Sequence, residues 1–236
     1  MSHAEGQATA SKEMSHAEGE ATASGTGAHA EGGATASGVC SHAEGTSNAV
    51  GEFSHAEGEN TQAKEKNSHA EGGETQANGM AAHAEGGSTK AAGSYSHSEG
   101  AGSIALETAS HSEGYLTSAN GIGSHAEGVQ TIASGYGSHA QGSNNIENKN
   151  AIHSVGIGND TTRKNAEYIY VKNSEGGQID DPKNGYKYLV GVGGYDGIST
   201  DNSTYKSVQE VIADLTARIE QLETKVRALE AANTPA

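Results

Sequence analysis

Ser68-His-Ala-Glu-Gly72 decides the fold, because the same phrase recurs along two-thirds of the chain. All twelve histidines of the protein, His3, His16, His29, His42, His55, His69, His83, His97, His111, His125, His139 and His153, sit at its second position. The first four intervals are 13 residues and the next seven are 14, and each His is followed three residues later by Gly. In an extended strand alternate side chains share a face. His and Glu of the phrase therefore point one way, and Ser, Ala and Gly the other. A second short strand follows in each unit, as at Thr75-Gln-Ala77, Thr89-Lys-Ala-Ala92 and Thr131-Ile-Ala133. Asn78-Gly79, Asn120-Gly121 and Ser134-Gly135 mark turns. Two strands and two turns per 13 or 14 residues describe one coil of a parallel β-solenoid whose interior holds only Ala, Ser, Thr and Gly.

The shorter units test this reading. Counted back from the next His, Ala10, Ala23 and Ala36 align with Ala63, Ala77 and Ala133. Two positions earlier, Ala8, Ala21, Ala34 and Ser47 align with Thr61, Thr75 and Thr131. The missing residue thus falls in the turn after Gly. A deletion inside a strand would have turned every side chain over. Small residues stay inward in both unit lengths.

Composition fits stacked repeats and little else. There are 34 Gly, one Phe and no Trp, and only 33% of residues are hydrophobic. Between Met1 and Gly156 just fifteen residues are Val, Ile, Leu, Met or Phe. A compact domain needs more large apolar side chains to offset chain entropy, whereas stacked repeats bury together what none buries alone. The net charge is −16, and residues 1–156 carry −13 of it, from 18 Glu against 5 Lys. That surface excludes nucleic acid and anionic membrane as partners. No apolar run is long enough to span a bilayer, so membrane insertion is not expected. Cys40 is the single cysteine, so no intrachain disulfide forms.

The phrase resembles the repeats of YadA-like trimeric adhesin heads, which centre on Ser-Val-Ala-Ile-Gly; here it reads Ser-His-Ala-Glu-Gly, most fully at Ser68–Gly72 and Ser124–Gly128. The resemblance covers about residues 2–158. It implies an all-β left-handed parallel β-roll, of about twelve coils in this chain, in a homotrimer with the second and fourth positions of the phrase toward the other chains. His and Glu replace the family's apolar pair there. The ladder formed by His69, Glu71, His83, Glu85, His97, Glu99, His111, Glu113, His125 and Glu127 is accordingly expected to hydrogen-bond between chains, each His relieving repulsion within the Glu row.

No catalytic residue, cofactor or metal is expected. The imidazoles of His29, His42, His55, His69, His83, His97, His111 and His125 are the one set able to ligate zinc or nickel. Along a single chain they repeat every ~4.8 Å and do not converge on one ion. Calcium-binding solenoid repeats need Asp, which the repeats lack. Gly191–Gly197 lacks the lysine of a phosphate loop and reads as a turn. Nothing recurs as nucleophile, base and orienting group, so the protein is not read as an enzyme.

Three regions follow: a β-roll over 1–158, a β-hairpin connector over 159–205 and a trimeric coiled coil over 206–233. Tyr168–Lys172 and Tyr186–Val192 alternate as strands, with turns at Asp181–Gly185 between them. Ser207-Val-Gln-Glu210 is a capping box. After it Val208, Ile212, Leu215, Ile219, Leu222, Val226 and Leu229 step by four and three, a heptad seam. Arg218-Ile-Glu-Gln-Leu-Glu223 resembles the trimerisation motif of short coiled coils, so Ile212, Leu215, Arg218, Ile219, Leu222, Glu223, Val226 and Leu229 are the expected trimer contacts.

The expected function is attachment. The chain stops at Thr234-Pro-Ala236 without the barrel segment of trimeric autotransporters. That favours a phage tail fibre or receptor-binding component on the virion over the head of a bacterial surface adhesin. A spacer without ligand is the third reading. The expected partners are copies of the chain and a cell-surface glycan or protein. Receptor contacts are not assignable. Outward positions that vary between coils, Gln62, Gln76, Lys90, Ile104, Ser118 and Ile132, are the candidates.

Overall fold

The computed structural model describes residues 1–159, 161–173, 186–192 and 208–232. Twelve strands, from His3–Gly6 to Ala151–Ile157, stack in parallel as one sheet, each beginning on or near the His of its unit. Ten two-residue strands, from Thr9–Ala10 to Ile132–Ala133, stack as a second. The chain alternates between them, making a β-solenoid of about eleven turns. Register follows the repeat, His on His, Ala on Ala, Glu on Glu, Gly on Gly, as between His69–Gly73 and His83–Gly87.

Two facing columns of alanine form the core. Ala56, Ala70 and Ala84 lie on the first sheet and Ala63, Ala77 and Ala91 on the second, all without solvent exposure. Each buries little surface, so the stack relies on repetition and on backbone pairing along both sheets. At Ser98 and Ser112, serine replaces the first-sheet alanine. Ser112 and Thr117 hydroxyls pair at 2.8 Å, Thr117 donates to Ser103 Oγ at 3.0 Å, and Ser98 donates to the Ser103 carbonyl at 2.8 Å. The buried hydroxyls are thereby satisfied.

The two unit lengths differ at one place. In the longer units an extra residue after Gly adopts left-handed backbone, at Asn60, Glu74, Ser88, Gly102, Leu116, Gln130 and Asn144, with φ between 48° and 65°. The shorter units lack it, and their inward pattern is unchanged: Ala21 and Ala23 are buried like Thr75 and Ala77. The deletion sits in the corner, as the alignment required.

The Ser and Gly of the phrase each have a physical reason. Ser68 Oγ donates to the carbonyl three residues back at 2.6 Å, and Ser41, Ser54, Ser96, Ser110, Ser124 and Ser138 do the same. Each such serine closes the turn entering its strand. From Gly6 to Gly142 the Gly of the phrase has φ from 80° to 113°, and a Cβ there would overlap the carbonyl oxygen of the next coil's Gly. Only glycine meets both conditions.

The solenoid ends on side-chain amides. Asn145 occupies the buried Thr position of its unit. Its Oδ1 accepts from Ile132 N–H at 2.7 Å, and its Nδ2 donates to the Ile132 carbonyl at 2.9 Å and to Ser154 Oγ at 3.0 Å. The amide stands in for the backbone of a further second-sheet strand. Asn165 repeats the device on Ile146, accepting its N–H at 2.9 Å. Arg163 Nη1 donates to the carbonyls of Gln130 and Asn145 at 2.8 and 3.1 Å.

Beyond the cap, Asn165–Asn173 pairs antiparallel with Ala151–Ile157, and Tyr186–Val192 pairs antiparallel with Asn165–Asn173. The two strands therefore extend the His-bearing sheet. The turn at Asp181–Gly185 and the glycine-rich run after Val192 lie outside the described residues. A single helix spans Val208–Ala232, and Ser207 of the capping box is also outside them. No helix among the described residues is long and apolar enough to cross a membrane.

Candidate functional site: the histidine–glutamate face

Because the strands are parallel and in register, the outward position of each coil lies directly over that of the next. From His16 to His139 the imidazoles form a continuous stack with ring centroids 4.6 to 4.9 Å apart and planes within 24° of parallel. The stack loosens at its ends, to 85° between His3 and His16 and 49° between His139 and His153. Every ring in the ordered stretch is half-buried, and the Glu row runs beside it.

His and Glu stand close without completing hydrogen bonds. Nε2 to carboxylate distances are 3.8 Å for His69–Glu71, 3.9 Å for His83–Glu85, 3.7 Å for His97–Glu99 and 3.9 Å for His111–Glu113. At the C-terminal coils the pairing moves back one coil: His125 lies 3.6 Å from Glu113, and His139 lies 3.3 Å from Glu127. Glu113 therefore faces an imidazole on either side. The Nε2 atoms of His16, His29, His42, His55, His83, His97, His111, His125 and His139 are shielded from solvent and have no hydrogen-bond partner within the chain. A shielded polar atom without a partner costs free energy. The face is incomplete as one chain presents it.

Burial lowers the pKa of His69, His83 and His111, and the neighbouring imidazole in the stack lowers it further; His29 is lowered by the same two causes. The flanking Glu residues push the other way with less force. The pKa of Glu113 is raised, first by burial and then by hydrogen bonding to Glu99 and Glu127 and by their charge. Burial and stacking thus favour the neutral imidazole at His29, His69, His83 and His111, and burial favours the protonated carboxyl at Glu113.

All ten expected ladder residues lie on this one face. Two subsets draw closer: His83, Glu85 and His97, and His111, Glu113 and His125, each with ligand atoms within 4.8 Å of one another. The variable positions Gln62, Gln76, Lys90, Ser118 and Ile132 are half-buried on the opposite sheet and Ile104 is exposed there. Exposed Tyr95, Tyr115 and Tyr136 lie at the corners and were not among the sequence candidates. Sequence reading also missed the amide cap at Asn145 and Asn165. Its signal was Asn145 at a position otherwise filled by Thr or Ser in the 14-residue units.

On the helix, Ile212, Leu215, Ile219, Leu222 and Val226 are 51 to 59% exposed, an apolar seam without cover in the single chain. Arg218 and Glu223 flank it, exposed; the Leu229 side chain lies outside the described residues. No protein-family model matches the chain, and no curated protein matches it in sequence.

Proposed function

We propose that this protein is a trimeric attachment fibre: three left-handed rolls packed along a common axis and held at one end by a three-stranded coiled coil. The observation that carries the reading is the uncovered seam. Five large apolar residues at heptad spacing, each more than half exposed, have a strong driving force toward like surfaces. The Arg218–Glu223 motif favours three copies over two. The row of partnerless Nε2 atoms supports the same assembly, because other copies would present donors and acceptors at the matching repeat.

Attachment follows from the kind of object this is. The solenoid's core is filled with alanine, the open hollow on its His/Glu face is lined mainly by Glu99, Glu113, Glu127, Gln141 and glycines, and its variable side chains are spread along the outer sheet and corners. Its role is adhesive rather than catalytic, with a cell-surface glycan or protein as the partner. The resemblance of the repeats to trimeric adhesin heads supports this, with a phage tail fibre as the setting. A bacterial surface adhesin head is the second reading, favoured by the repeat phrase itself.

The test is molecular mass in solution by light scattering, followed by binding of the labelled protein to bacterial cells. A trimeric mass with saturable cell binding is expected. A monomer at all concentrations overturns the assembly, and a trimer that binds no cell surface leaves only a spacer.

A further inference from the structure

The shielded, partnerless Nε2 atoms pose a question that the fold does not answer. Among the described residues, the donors converge at two steps of the ladder. At the first, Glu113 directs Oε2 toward His111 Nε2 at 3.9 Å and Oε1 toward His125 Nε2 at 3.6 Å. At the second, Glu85 Oε2 lies 3.9 Å from His83 Nε2, with His97 stacked over His83 at 4.7 Å. These separations exceed a hydrogen bond. The His–Glu separations lie slightly above the donor–donor spacing around one tetrahedral zinc, about 3.3 Å for bonds of 2.0–2.1 Å, and each full donor set falls within 4.8 Å.

We propose that His111, Glu113 and His125, and separately His83, Glu85 and His97, each bind one borderline divalent transition-metal ion such as Zn2+, through two Nε2 atoms and one carboxylate oxygen. This reverses the expectation from the sequence that the ladder holds no ion. Imidazoles repeating along a strand stack do not converge on their own, and the intervening Glu closes the set. Two imidazoles and a carboxylate leave a fourth position of a tetrahedral ion open to water or to a donor from another chain.

Two further features agree. A cation offsets the like charges of Glu113 and its in-register neighbours Glu99 and Glu127. The net charge of −16 concentrates cations near the surface. The parallel rings, within 2° at both steps and 4.6 to 4.7 Å apart, must tilt toward each other, closing their Nε2 atoms by somewhat more than about 1 Å, to share one ion. They are half-buried side chains on a surface, so the cost is mainly the contact between two rings.

The test is a zinc titration of the full chain at pH 7.5 by calorimetry, with magnesium in excess to occupy oxygen-only sites. Two equivalents per chain at micromolar free zinc are expected. Glu113→Gln and His125→Asn should each remove one equivalent, His83→Asn the other, and His29→Asn neither. Circular dichroism establishes that each variant is folded, and Glu113→Gln, nearly isosteric, serves if a His variant is not. No saturable uptake overturns the proposal, as does a loss from His29→Asn equal to that from His125→Asn, which would mean capture by any imidazole. All donors come from one chain, so mass measured on the same samples separates failure of the metal sites from failure of the trimer.

Discussion

The solenoid and the C-terminal helix handle their apolar and polar groups in opposite ways. The solenoid buries its core alanines from Ala17 onward within one chain, pairs its backbone coil by coil, and ends on an amide cap. The helix buries none of its described seam residues. The core of the solenoid is closed within a single chain, and the described seam of the helix is not. In the proposed trimer the helix supplies the drive to associate, and the solenoid would take part through its His/Glu face, which lies between these extremes: half-buried and stacked.

The sharpest way to break that contrast is to remove the seam. Ile219→Asp with Leu222→Asp places two charges in the core of any coiled coil, and desolvating them opposes association strongly. The expected result is loss of the trimer, a threefold fall in mass by light scattering, with the β-sheet signal in circular dichroism retained. Collapse of the β signal together with the mass would mean that the solenoid depends on assembly, against the contrast drawn above.

Within the solenoid, neighbouring glycines offer a second test. Gly86 has φ of 106°, and an added Cβ would overlap the carbonyl oxygen of Gly100. Gly87, one residue on, has no neighbour within 4 Å of such a Cβ and no left-handed backbone. Left-handed strain alone costs roughly 1–2 kcal/mol, and here rigid backbone blocks relaxation. Gly86→Ala should destabilise by roughly 3 kcal/mol or more, read from denaturant unfolding. Gly87→Ala should be neutral or stabilise by about 0.5 kcal/mol. Equal effects at the two positions would remove the close approach of coils as the reason for the Gly of the phrase.

The sequence made the solenoid legible because its signal is periodic. His, Ala, Glu and Gly recur at fixed phase, so strand, face and register follow from alternation alone, and the deletion in the early units located the core. The cap was not legible in the same way. Asn145 and Asn165 work by side-chain amides that imitate a strand, a role visible only once Ile132 is known to lie at the edge of the second sheet and Ile146 just beyond it. The ladder was legible as a row but not in its distances. Spacing placed Glu113 beside His111; only the structure showed it reaching back to His125 as well. The seam was legible from its 4-and-3 stepping, and the structure shows its described residues on one helix, more than half exposed.

The smallest expected effect concerns the face that lies between the two regions. His29, His69, His83 and His111 have folded pKa values below the ordinary 6.5, through burial first and then the adjacent imidazoles. Above pH 6.5 neither folded nor unfolded chain is protonated there, and stability is at its full value. As pH falls through 6.5 the unfolded chain takes up protons that the folded chain refuses, so stability declines until the folded values are passed. Glu113 acts in the reverse sense. Its folded pKa lies above the ordinary 4.5, so the folded state is protonated first and regains some stability as pH approaches 4.5. The melting temperature should therefore step down slightly from pH 7 to 5.5 and then flatten. The shift should be modest, because the rings are half-exposed and water screens them. If this face lies between chains, the step will steepen on dilution, since protonation then also opposes association. A melting temperature that rises from pH 7 to 5.5 would mean that the Glu row, 3.3 to 3.9 Å away, outweighs burial and the stack, and that the ladder gains as ion pairs what it loses as neutral rings.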